Sequence, residues 1–294
     1  MTADPVASRS PVALRAPVQA GADVVVEAWL VDTAPHAVHR TWRAAGSQSA
    51  RGPRATGGPG AAGRPLAAGG WRAGDAATGG REALVARLGG AVLGPDERTR
   101  ALRLASDADA ARYVRAHVAT RELLAAATGL RPADVRWEVG RHGRPGPVVG
   151  QRWNLSRSGD HALVALAPVD VGVDVQVRDP RVDVRRLAAR FLAPERGGHG
   201  DAWQRLARLE ACAKAVGGRL LDVLGLDVRA PGLVRAAEGP WRGQEWWVGD
   251  VPAPVGAVAA CATPGPRPHA VVLRHAGATG RAGNDGLAGA GAVR

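Results

Sequence analysis

The 294-residue chain contains no isoleucine, and Phe191, Tyr113 and Lys214 are each the only residue of their kind. Cysteine is equally scarce, with Cys212 and Cys261 alone. Two thiols build neither a disulfide framework nor, by themselves, a zinc site, so a reducing, cytoplasmic setting is expected. No run of 18 uncharged apolar residues occurs, which excludes a transmembrane helix; no membrane partner is expected. The first 21 residues lack the continuous apolar stretch of a secretory signal. Arg, Ala, Gly and Val are abundant instead, the bias of a GC-rich coding sequence. Where basic positions default to Arg, a lone Lys is informative. Its compact, deprotonatable ammonium is chemically distinct from a guanidinium. The net charge is +12, which points to a polyanionic partner: nucleic acid, an acidic protein or a phosphorylated ligand. With 46% hydrophobic residues, the chain can bury a sizeable core.

Composition divides the chain. Residues 1–21 read as a flexible leader and 22–33 as a Val-rich first strand. Residues 34–81, aperiodic and rich in Gly, Ala, Pro and Arg, read as a disordered insertion. Helical pattern occupies 82–90 and about 95–128. Pro95 and two acids open the latter, Asp107 and Asp109 mark a restart, and Gly129 is the expected C-cap. A short strand is expected at 135–139. Strands at 152–156, 161–167 and 171–177 follow, joined by short turns as an antiparallel meander. Helices at 182–192 and 201–216 come next, then strands near 226–229, 244–249, 255–261 and 269–273. Residues 275–294 read as a flexible tail. The lack of a regular βαβ rhythm argues an α+β fold. A pseudo-symmetric pair of subdomains is expected, the second covering 151–274 and the rest of the first 82–150.

Chemistry is concentrated in a few positions. In VGVDVQV, alternation puts Asp174 and Gln176 on one strand face. An acid in an apolar strand needs a hydrogen bond, a cation or a metal, unless that face is solvated. An acid beside an amide oxygen suits Mg2+, which takes oxygen ligands. In WQRLARLEACAKAV, Glu210 and Lys214 stand four residues apart on one helix face. They form either a surface ion pair or, given the single Lys, a point charge for phosphate. The loop Gly143-Arg144-Pro145 and the run Asn154-Leu155-Ser156-Arg157-Ser158-Gly159-Asp160 offer Gly for close approach and Arg144 and Arg157 as forked donors.

Five of these segments, in order, resemble the 4′-phosphopantetheinyl transferases of the broad-specificity, carrier-protein-activating type. They are GRP at 143–145, WNLSRSGD at 153–160, GVDVQ at 172–176, RFLAPE at 190–195 and LARLEACAKAVGGRL at 206–220. The Arg-rich stretch 94–124, the strand VVVEAWLVD and residues 245–261 are also similar to that family. The resemblance implies a fold of two pseudo-symmetric α+β subdomains in one chain, a monomer. It implies transfer of the phosphopantetheine arm of coenzyme A to a serine of an apo acyl or peptidyl carrier protein, with release of adenosine 3′,5′-bisphosphate. By position, Asp174 and Glu210 would ligate Mg2+, with Glu210 as base. Lys214 would hold the pyrophosphate and protonate the leaving group. Arg112, Arg144, Ser156 and Arg157 would grip the 3′-phosphoadenosine end.

The chain departs from the family pattern at identifiable places. Arg157 replaces the His of the S-H-S motif, and Arg144 the Lys of G-K-P. Gln176 stands where a second acid is usual, Leu209 where a Lys is usual, and Leu206 in place of a Trp. Two other readings remain open on the residues. One is a degenerate relative that binds coenzyme A or a carrier protein without turnover, motivated by Gln176 and Leu209. The other is a basic nucleic-acid-binding protein, motivated by the charge and the Arg/Gly-rich insertion. Against the latter, the folded part has no nucleic-acid module.

Overall fold

The computed structural model describes residues 24–34, 78–191 and 201–276. The leader at 1–21, positions 35–77 of the insertion, Leu192–Glu195 of RFLAPE and the tail from 277 lie outside the described residues. The elements are β1 (Val24–Asp32), α1 (Thr78–Gly89), α2 (Pro95–Leu102), α3 (Asp107–Thr128), β2 (Arg152–Ser158), β3 (His161–Ala167), β4 (Gly172–Val177), α4 (Val184–Phe191), α5 (Ala202–Val216), β5 (Gly232–Arg235), β6 (Glu245–Val251), β7 (Ala257–Pro264) and β8 (His269–Ala276). The fold is α+β, as expected, with two four-stranded sheets ordered β2-β3-β1-β8 and β4-β7-β6-β5.

Four layers result. α3 covers the first sheet through Ala116, Leu123 and Leu124 against Trp29, Val31, Val164 and Leu166. The inner faces of the two sheets meet through Val26, Ala28, Leu163 and Ala165 on one side and Val173, Val175, Ala259 and Cys261 on the other. α5 covers the outer face of the second sheet, packing Leu209, Cys212 and Ala213 onto Trp246, Val248, Ala260 and Ala262. α1, α2 and the turn between them close the far side of α3 with Val85, Ala101 and Leu93. β1 lies inside its sheet, antiparallel to β3 and parallel to β8. Burial on both faces explains its nearly unbroken apolar sequence. The first sheet takes β1 from the early chain and β2, β3 and β8 from beyond residue 150, so the sheets do not divide there.

The helix signals at the N-terminal side act as read. Pro95 opens α2, and α3 restarts at Asp107 with the Ser106 hydroxyl accepting from the Asp109 N–H at 3.0 Å. Gly129 ends α3 at φ 74, a left-handed C-cap.

Three strand expectations need correction. β2 and β3 form a hairpin, but β4 does not extend it into a meander. The free edge of β3 pairs with β1, and β4 pairs with β7 in the second sheet. The edge of β4 that faces β2 is satisfied by side chains instead. Asn154 Oδ1 accepts the Val173 N–H (3.1 Å), Ser156 Oγ the Val175 N–H (3.2 Å) and Ser158 Oγ the Val177 N–H (2.9 Å). Alternate polar residues of one strand thus stitch the edge of another, meeting the demand that buried N–H groups be paired. Residues 135–139 form no strand, with only a bridge from Val139 to Pro145. The Val135 carbonyl accepts from Arg121 Nη1 at 2.8 Å. Residues 226–229 form no strand either, since the carbonyls of Val228 and Arg229 accept from Arg208 Nη1 at 2.9 and 2.7 Å. In both places an arginine side chain supplies the donor that a neighbouring strand would have given.

Candidate active site at the seam of the two sheets

β4 and α5 are forced together by one residue. A Cβ on Gly172 would stand 2.1 Å from the Ala211 carbonyl oxygen, so only glycine lets the strand lie this close to the helix. The outer face of β4 then carries Asp174, and α5 carries Glu210 and Lys214 opposite it.

Asp174 is 2% exposed and fully compensated. Its Oδ1 accepts from Lys214 Nζ (2.6 Å) and Ser156 Oγ (2.7 Å), and its Oδ2 from Gln176 Nε2 (2.9 Å). Both the same-face placement of Asp174 and Gln176 and the need for compensation hold. The Lys214 ammonium also donates to Ser156 Oγ (3.0 Å) and the Val173 carbonyl (3.3 Å), which occupies its three hydrogens. The lysine therefore pairs across to β4, not with Glu210 one turn back on its own helix.

Glu210 is half-buried, and among the described residues its carboxylate accepts no hydrogen bond. Burial pushes its pKa up. The Lys214 charge opposes that, and the neighbouring Asp174 charge adds to it. Glu210 stands one helical turn before Lys214, on the face of α5 whose ammonium reaches Asp174.

The donor set suits a hard cation. Asp174 and Glu210 supply carboxylate oxygens and Gln176 an amide, and Mg2+ is commonly held by one or two carboxylates plus waters and substrate phosphates. Among the described residues no cluster of three His, Cys, Asp or Glu occurs, so a site with three acids is not formed. At Gln176 an amide stands in place of a third acid, and its Nε2 donates to Asp174 Oδ2.

The four residues assigned to the phosphoadenosine end are not all together. Arg112 and Arg157 line one cleft of about 270 Å3 with Thr33, Leu104, Asp109, Ser158 and Gly159. Arg112 is ion-paired there to Asp160 (2.7 Å) and Asp109 (3.1 Å). Arg144 lies at the other end of β2. Its Nη2 is 2.5 Å from Asp170 Oδ1, which Arg152 at the start of β2 also approaches. Its Cδ packs over Gly217, the left-handed cap of α5. Six strand steps, about 20 Å, separate the two ends. Ser156 sits between them, buried among Lys214, Asp174 and the Val175 N–H, and Arg157 leaves β2 on the opposite face.

Arg100 was not singled out from sequence. It is exposed on α2 and repels Arg157. Among the described residues neither guanidinium has a carboxylate partner. No local pattern marks Arg100, because its charge bears on Arg157 only through the fold.

No family model matches this sequence. Over 110 residues, 36% of the chain, it is 31% identical to a protein of Synechocystis sp. named "Putative 4'-phosphopantetheinyl transferase". The chain spans a little under half of that relative, 45% of its length. The likeness agrees with the α+β architecture. No described helix is long and apolar enough to cross a membrane.

Proposed function

We propose that this protein transfers the 4′-phosphopantetheine arm of coenzyme A to a serine hydroxyl of an apo carrier protein. The observation that carries the reading is the contact of Lys214 with Asp174 across β4 and α5, with Glu210 one helical turn before Lys214 on the same face of α5. Partial likeness to a protein of that name supports it.

Transfer needs a nucleophile relieved of its proton, charge compensation at the diphosphate and alignment of the two. In the step, the serine oxygen attacks the pantetheine phosphorus. The phosphorus–oxygen bond to the adenosine bisphosphate breaks, and the serine proton departs. Glu210 suits the base. Its carboxylate is free of hydrogen bonds among the described residues, and its raised pKa brings it towards the useful range for proton uptake. Lys214 suits the counter-charge for the leaving bisphosphate. Its longest bond, 3.3 Å to the Val173 carbonyl, is the one it would exchange for a phosphate oxygen. Ser156 and Gln176 hold Asp174 in place during that exchange.

Asp174 and Glu210 would hold Mg2+. The ion would neutralise diphosphate charge and polarise the phosphorus. The cleft with Arg157 and Arg112 would take the phosphoadenosine end. A basic surface also suits an acidic carrier.

The test is incubation of the purified chain with fluorescent coenzyme A and several apo carriers, fatty-acid, polyketide and peptide-synthetase types, with Mg2+ or with chelator. Labelling of at least one carrier that the chelator abolishes is expected. Binding of coenzyme A without labelling of any carrier would leave a ligand-binding relative in its place.

A further inference from the structure

One stripe of α3 carries Tyr113, His117 and Arg121 at four-residue spacing, and it ends at the cleft. The guanidinium carbon of Arg157 lies 4.8 Å from the centre of the Tyr113 ring. That ring also stacks on His117, with centroids 4.0 Å apart and planes 22° from parallel. His117 Nδ1 lies 2.8 Å from Glu97 Oε1. Glu97 Oε2 accepts from the Gly94 N–H and from Arg121 Nε, both at 2.7 Å. Arg121 is fixed in turn by the carbonyls of Pro132 and Val135 and by the Trp137 ring. The column is rigid at its base and ends in a single cation.

That cation stands apart from its neighbours. Arg112, in the same cleft, is tied to two carboxylates. Arg157 has none among the described residues, and Arg100 pushes on it. An aromatic face attracts a guanidinium without neutralising it. Burial and the Glu97 charge hold the Tyr113 hydroxyl up at about 12, so the ring stays a neutral phenol. The full positive charge of Arg157 is therefore left for a ligand.

We propose that Tyr113 is a positioning residue, which holds the Arg157 guanidinium at the cleft wall as the anchor for a phosphate of the ligand. His117 and Glu97 are its buttress. The proposal rests on the transferase reading only in naming adenosine 3′,5′-bisphosphate as the probe, since the geometry calls for a phosphorylated anion of any origin.

The experiment is calorimetric titration of adenosine 3′,5′-bisphosphate into the full chain and into Tyr113→Phe and Tyr113→Leu. Loss of the ring should weaken binding between about fivefold and thirtyfold, the worth of a partly desolvated cation–π contact. Tyr113→Phe keeps the ring and should bind within about twofold of the parent. Tyr113 is the only tyrosine, so growth on fluorotyrosine labels this ring alone, and its fluorine resonance should shift on addition of the bisphosphate. That measurement decides the matter even where the leucine variant does not fold. Unaltered affinity in Tyr113→Leu, equal losses in both variants, an unmoved resonance or no binding by the parent would each overturn the assignment. Binding that follows the ring in a chain that labels no carrier would overturn the transferase reading and leave Tyr113 in its role.

Discussion

Ser156→Ala tests whether the seam between the sheets is structural. The hydroxyl donates to Asp174 Oδ1 at 2.7 Å and accepts from Lys214 Nζ at 3.0 Å and the Val175 N–H at 3.2 Å. Those three contacts fill the capacity of a hydroxyl. Removing it strands a buried backbone N–H, worth about 1–3 kcal/mol. It also takes one bond from a buried carboxylate and one from its ammonium. Lys214 still compensates the Asp174 charge, which limits that second cost to about 1 kcal/mol. The sum is about 2–4 kcal/mol of folding stability. Ser158→Ala, at the half-buried end of the seam, bonds only the Val177 N–H on β4 and should cost about 1 kcal/mol. Urea unfolding followed by tryptophan fluorescence reads both. If Ser156→Ala costs less than Ser158→Ala, the hydroxyl is not the hub that the seam requires.

Three further outcomes are expected. Val149 sits at φ 49 before Gly150 at φ 80, the two central positions of a tight turn closed by paired bonds between Val148 and Gln151. A β-branched residue is strained there, and Val149 is 74% exposed. Val149→Asn should therefore raise stability by about 1 kcal/mol in thermal unfolding. Gly172→Ala should destabilise by more than about 3 kcal/mol or prevent folding, because its methyl would meet the α5 backbone; soluble yield and circular dichroism report this. Burial holds the His269 imidazole down at about 4, against 6.5 unperturbed. Its stability contribution is complete above pH 6.5 and is lost as pH falls towards 4, because the unfolded chain takes up the proton first. The loss is about 3 kcal/mol, and the stability–pH slope in that window should flatten in His269→Gln.

The legible parts of the fold were those whose cause is local. Pro95, the acids at 107 and 109, and Gly129 act within a few residues of themselves, and α2 and α3 follow them. Polar alternation in GVDVQV correctly placed Asp174 and Gln176 on one face. The errors came where a distant arginine replaces a strand. Nothing within residues 135–139 or 226–229 announces that Arg121 or Arg208 will take their carbonyls. The meander failed for a related reason. Asn154, Ser156 and Ser158 look like a polar edge in sequence, and their role as acceptors for β4 exists only once two sheets face each other. At the site, helical spacing suggested Glu210 with Lys214, whereas the fold joins Lys214 to Asp174. The family resemblance grouped Arg144 with Arg112 and Arg157, and β2 separates them by its length.

The most direct measurement is the rate of pantetheinyl transfer to an apo carrier, followed by intact-protein mass spectrometry, for the parent chain, Asp174→Asn and Glu210→Gln. Each variant is nearly isosteric and removes one negative charge. The parent should modify the carrier serine, and both variants should fall by about a hundredfold or more, the scale of losing a positioned base or an electrostatic clamp. Transfer at the parent rate by both variants would contradict the account.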